Sequence, residues 1–170
     1  MRIIVSDSSC LIDLKKVSLL GAFLRLPYEI TIPDTLFAEE LLKFDESEKA
    51  ALLTNGLKVV ELSAEGVLRA QHLAGQFPAL SLHDCFAFAL AECERGSILL
   101  TGDNRLRSVA NEQEIEVHGV LWVIDEIYEA ETCQPPELFR ALEKFASDRT
   151  VRLPSRELQE FIKRYQAFMK

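Results

Sequence analysis

A chain of 170 residues, 48% hydrophobic and 27% charged, has the size and composition of one globular domain with a sizeable core, which sets aside disordered and fibrous classes. No apolar run approaches the roughly 18 residues that a membrane span needs, and the opening MRIIVSDSSCLIDL reads as a short strand rather than a signal peptide. The formal net charge of −8 disfavours broad, non-specific binding to polyanions, but a site of carboxylates holding divalent cations is acidic by construction.

In chain order, Ile3-Ile4-Val5 is the kind of short apolar run found in strands buried on both faces of a parallel sheet. Asp7 follows at once, and Ser8 and Ser9 are placed to cap a helix with Cys10, Leu11 and Leu14 on its apolar side. A second helical stretch runs from Ser18 to Leu26 and stops at Pro27, and a strand from Glu29 to Ile32 ends at Pro33. Asp34 caps a helix over TLFAEELL, Asp45 starts another that Asn55-Gly56 closes, and Leu57 to Leu62 is a third strand. Ser63 opens a helix toward Gln76, and Ser81 opens the most regular one, LHDCFAFALAECE, terminated near Gly96. Ser97 to Thr101 is again a strand, and Gly102-Asp103 leads into the helix NRLRSVANEQ. Glu116 and Val117 make a last short strand, with the apolar run Val120 to Ile124 close behind. From Asp125 the pattern is helical, broken at Pro135-Pro136 and ending in an amphipathic segment with Leu158, Phe161, Ile162 and Tyr165 on one stripe.

Strands alternating with helices predict an α/β fold with a central, mainly parallel sheet. Without internal repeats or linkers, one domain over residues 1–170 is expected, with a core of about 1–124 and a helical extension over 125–170. The cysteines Cys10, Cys85, Cys93 and Cys133 lack CxxC spacing and read as reduced, buried thiols of a cytoplasmic protein.

In open parallel sheets, sites lie beyond the carboxyl ends of the strands where strand order reverses. Asp7 and Asp103 each sit just past such an end, Asp84 lies in the first turn of a helix, and Glu39 lies within a short one. Taken singly, Asp7, Asp84 and Asp103 are equally well explained as helix caps or turn residues, and Glu39 as a solvated side chain. If their helices flank one edge of the sheet, the four carboxylates converge. Such a group repels itself unless it takes up protons or a hard cation, for which carboxylate oxygen is the preferred ligand.

The words around these acids resemble a family. IIVSDSSCLIDL resembles the opening motif of PIN domains, ITIPDTLFAEELL the second, LSLHDCFAFALA the third, and ILLTGDNRLRSVA, with its Thr-Gly-Asp, the fourth. The four occur in family order between Arg2 and Ala110. The resemblance implies a three-layer α/β/α sandwich, Mg²⁺- or Mn²⁺-dependent endoribonuclease activity, an RNA substrate and frequent homodimerisation. Bacterial members are often toxins of VapBC-type toxin–antitoxin pairs, silenced by a small antitoxin protein. Carried across by position, the catalytic and metal-binding acids are Asp7, Glu39, Asp84 and Asp103, with Ser9 and Thr101 orienting ligands behind them. Spacing from Pro33 favours Glu39, whereas the following Leu41-Leu42 leaves Glu40 open; neighbours on a helix point about 100° apart, so one of them faces the site, and Glu39 is the expected one.

Lys15, Lys16, Arg105 and Arg107 follow the first and fourth motifs and are candidates to meet RNA phosphates, with a solvated helix face as the alternative. His72, His83 and His118 form no zinc-site spacing. Two other readings are a receiver-like phosphoacceptor, for which no suitable lysine follows the last strand, and a PIN-fold scaffold without activity, against which all four acids are present.

Overall fold

A computed structural model describes all of residues 1–170. Its first half contains β1 (Ile3–Ser6), α1 (Ser8–Lys16), α2 (Leu20–Leu24), β2 (Glu29–Pro33), α3 (Asp34–Glu39), α4 (Glu46–Thr54), β3 (Lys58–Val60) and α5 (Ala64–Gln76). There follow α6 (Leu82–Cys93), β4 (Ile98–Leu100), α7 (Asn104–Glu112), β5 (Val117–His118), α8 (Val120–Glu129), α9 (Pro135–Ser147) and α10 (Ser155–Phe168).

The strands form one five-stranded sheet in the order β3-β2-β1-β4-β5, with every pairing parallel. Ile4 stands opposite Ile30 on one side and Ile98 on the other, so β1 is the central strand. Ile4 and Val5 point to opposite faces of the sheet, and both are fully buried. Both faces are covered at the centre of the sheet, which is why β1 and β4 carry apolar runs rather than alternation. On one face α6 crosses β1, β2 and β4 and packs on α5, while α1, α2 and α8 pack together as a second helical layer. The architecture is the expected three-layer α/β/α sandwich. The chain builds β1, β2 and β3 in one direction and then returns across β1 to add β4 and β5, which puts the reversal of strand order between β1 and β4.

Three local expectations are corrected. The helix from Asp34 ends at Glu39, with Glu40 as its cap, and does not continue through Leu42. Leaving the helix there sends Leu41 into the core, fully buried, and leaves Leu42 80% exposed. The apolar run Val120 to Ile124 is already helical, because Val120, Leu121, Val123, Ile124 and Ile127 form the inner stripe of α8. Of the four thiols only Cys10 and Cys85 are buried; Cys93 is exposed, Cys133 is half-buried, and all four are free.

The C-terminal helices share the main core. Leu138, Leu142, Phe145, Leu158 and Tyr165 belong to the same hydrophobic cluster as the sheet. Tyr165 is fully buried, and its hydroxyl donates to Asp125 Oδ1 at 2.7 Å, while Arg164 pairs with the same carboxylate at 2.8 Å. These contacts fasten α10 to α8. Tyr165→Phe is expected to cost about 1 kcal/mol through the lost hydrogen bond, and Tyr165→Ala about 3–5 kcal/mol through lost burial and the cavity left behind. Urea unfolding of the two variants checks the order; equal effects would show that the hydroxyl, not the packing, ties the extension down.

Candidate active site

A cleft of about 460 Å³ opens at the carboxyl edge of the sheet, beside the reversal between β1 and β4. Its acids are Asp7, Asp13, Glu40, Asp84 and Asp103. Its walls carry a single hydrophobic side chain, Ile12.

Asp7 leaves the end of β1 in extended conformation and caps α1, a role that falls to it rather than to Ser8 or Ser9. Its Oδ1 accepts from Ser9 Oγ at 2.8 Å and from the Cys10 amide at 3.2 Å, and its Oδ2 accepts from the hydroxyl of Thr101 at the end of β4. The side chain is thus held rigidly by two strand ends, and the residue is only 5% exposed. Burial pushes the Asp7 carboxyl up to about 6; the hydrogen bonds from Thr101, Ser9 and Cys10 pull the other way, and the charge of Asp84 adds to the rise. Asp7 takes part in no ion pair.

Asp84 and Asp103 are also caps. Asp84 completes a capping box with Ser81, its Oδ2 accepting from the Ser81 amide at 3.0 Å. Asp103 Oδ1 accepts from the amides of Arg105 at 2.8 Å and Leu106 at 3.1 Å. The capping explanation and the site explanation therefore coexist. In each residue one carboxylate oxygen fixes the side chain, and the other, Asp84 Oδ1 or Asp103 Oδ2, accepts no hydrogen bond.

At the end of α3 the two adjacent glutamates diverge. Glu40 lines the cleft, and its Oε1 accepts from Ser8 Oγ at 2.7 Å. Glu39 is not part of the cleft wall; its side chain is 62% exposed and meets His83 Nε2 at 2.6 Å. The other ring nitrogen, Nδ1, lies 3.6 Å from Glu40 Oε2, so the imidazole stands between the two glutamates with its hydrogen bond to Glu39. Glu40 still donates its amide to the Leu36 carbonyl in right-handed helical conformation, so the turn of about 100° between helical neighbours is what points the two side chains apart.

Among the cations, Lys16 and Arg105 line the cleft, as does Asn104. Lys15 is turned away to Glu48 at 2.8 Å and the Lys43 carbonyl at 2.7 Å, and Arg107 lines a separate pocket beside His118 and Trp122. Thr150 and Arg152, from the loop between α9 and α10, complete the wall. Reading along the chain misses them, since nothing local in that segment marks it as returning to the sheet edge.

The PIN-domain family model matches residues 3–167, and the chain belongs to that family. This places it among nuclease-type domains that act on nucleic acid, and the receiver-like alternative falls away. No curated protein matches the chain.

The raised carboxyl of Asp7 has a consequence for stability. Because the folded value lies above the ordinary 3.8, the folded state holds the proton more tightly than the unfolded chain between about pH 4 and 6. Ionising Asp7 thus removes stability as pH rises through that window, on the order of 3 kcal/mol without metal. Asp7→Asn lacks this loss. In EDTA its stability relative to the parent is expected to increase from pH 4 to pH 7; chemical unfolding at both values checks it, and a flat or falling difference contradicts the assignment.

Proposed function

We propose that the chain is an endoribonuclease that depends on Mg²⁺ or Mn²⁺ and hydrolyses RNA phosphodiester bonds at this cleft, with Asp7, Glu40, Asp84 and Asp103 as its acids. The observation that carries this reading is the convergence of these four on one cleft around a buried carboxylate that makes no ion pair.

The donor chemistry fits a hard divalent cation. The cleft offers carboxylate and hydroxyl oxygens and no histidine or cysteine, the set that suits Mg²⁺ or Mn²⁺ rather than zinc. The acids line the cleft without forming a closed cage; no three His, Cys, Asp or Glu side chains are gathered at one point. That spacing is expected of like charges with nothing between them. When bound, a divalent ion supplies water activation and charge stabilisation for in-line displacement at phosphorus.

The chain's own residues prepare that chemistry. Ser9 and Thr101 fix both oxygens of Asp7, so the carboxylate does not rotate between states. Ser8 holds one oxygen of Glu40 in the same way. The helix caps hold Asp84 and Asp103 by one oxygen each and leave the second available. Attack by water places the new bond on phosphorus and releases the 3′-oxygen, giving 5′-phosphate and 3′-hydroxyl ends.

Glu40 takes the place that position in the motif alone gave to Glu39, since Glu40 is the one on the cleft wall. Cleavage of a mixed RNA pool is expected in Mn²⁺ and not in EDTA. Asp7→Asn, Asp103→Asn and Glu40→Gln are each expected to lower the rate at least about a hundredfold, a loss of roughly 3 kcal/mol in the barrier, and Glu39→Gln less than about tenfold. Product-end analysis and initial rates check this. Ends carrying 2′,3′-cyclic phosphate, or a Glu39→Gln loss larger than that of Glu40→Gln, contradict it. A folded protein that neither cuts RNA nor binds Mn²⁺ would instead be the interaction scaffold.

A further inference from the structure

In a chain carrying 27 acidic and 19 basic side chains, the long-range field opposes a polyanionic strand, so capture depends on cations placed locally. The acidic cleft has three: Lys16 from α1, Arg105 from the first turn of α7, and Arg152 from the loop between α9 and α10. Lys16 is committed within the chain. Its Nζ donates to Thr150 Oγ1 at 2.8 Å and lies 3.8 Å from Asp13. Arg105 and Arg152 are different: neither guanidinium takes part in any ion pair, although carboxylates line the same cleft.

The loop that carries Arg152 is built to stay in place. Asp148 Oδ1 accepts from the amide and the hydroxyl of Thr150, at 2.9 and 2.5 Å, and closes a tight turn. The Lys16 ammonium then fastens the same Thr150 hydroxyl to α1, the helix that Asp7 caps. Val151, between Thr150 and Arg152, is buried in the core cluster. One residue of the loop is thus anchored inside and the next is presented at the cleft.

We propose that this loop forms the phosphate-binding wall of the cleft, with Arg152 and Arg105 holding phosphodiester groups of the RNA strand next to the one that is cut. The proposal rests on the ribonuclease reading of the same cleft and gives the C-terminal extension a part in substrate capture. Guanidinium suits this task because its planar fork offers paired donors to phosphate oxygens while remaining charged at any working pH.

The test uses the full chain. Binding of a fluorescein-labelled single-stranded RNA is measured by anisotropy across a salt series, with Asp103→Asn as the common background so that nothing is cut. Arg152→Ala and Arg105→Ala are each expected to weaken binding about fivefold, the range of an exposed charge contact. Each should also reduce the slope of log affinity against log salt by about 0.7, the value for one phosphate contact to a single strand. Arg149→Ala, an exposed arginine of the same loop outside the cleft, is expected to change neither quantity. In the active protein, Arg152→Ala should raise KM with kcat little changed, and its Mn²⁺ affinity by calorimetry should not fall, which separates lost capture from a collapsed site. If the parent binds and cuts RNA but Arg152→Ala and Arg105→Ala keep its affinity and salt slope, the wall is merely a cover and the proposal is overturned while the nuclease reading stands. If the parent neither binds nor cuts RNA, both are overturned.

Discussion

Asp7 puts a carboxylate where water has been largely removed, and most of the molecule serves to hold it there. It comes off the central strand, is gripped by hydroxyls of Ser9 and Thr101 from either side of the strand-order reversal, and caps the helix that forms one side of the cleft. Burial of such a group costs stability unless charge or hydrogen bonding offsets it. Here the hydrogen bonds offset it in part, and the carboxyl remains raised to about 6. On the proposed reading, a divalent cation would supply the missing charge.

Two of the remaining acids, Asp84 and Asp103, are helix caps that also line the cleft. Asp84 and Asp103 begin helices whose inner faces line the core, and each cap fixes one oxygen and spares the other. Capping alone does not account for their convergence. Caps can start helices anywhere, whereas these helices start at one edge of one sheet.

Much of this was legible in the sequence because it is local. Apolar runs such as Ile3 to Val5 and Ile98 to Leu100 declare buried parallel strands, and Ser81 with Asp84 declares a helix start. The positions of Asp7 and Asp103 past strand ends follow from the same reading. What spacing did not show was decided by packing. Leu41 enters the core just past the end of α3, and of the two neighbouring glutamates it is Glu40 that lines the cleft. His83 shows no partner by spacing within its helix, since its partners stand on another element. Arg152 reaches the site only because α9 and α10 fold back over the domain, a tertiary event with no local mark.

The central claim is that a divalent cation and the buried carboxylate of Asp7 belong together. Titration calorimetry of Mn²⁺ into the parent protein and into Asp7→Asn, at pH 6 and pH 8, tests it most directly. The account predicts binding to the parent with release of a fraction of a proton at pH 6 and almost none at pH 8, because Asp7 is partly protonated only at the lower value. It predicts that Asp7→Asn loses both the binding and the proton release. Equal Mn²⁺ binding by the two proteins, or none by either, would contradict it.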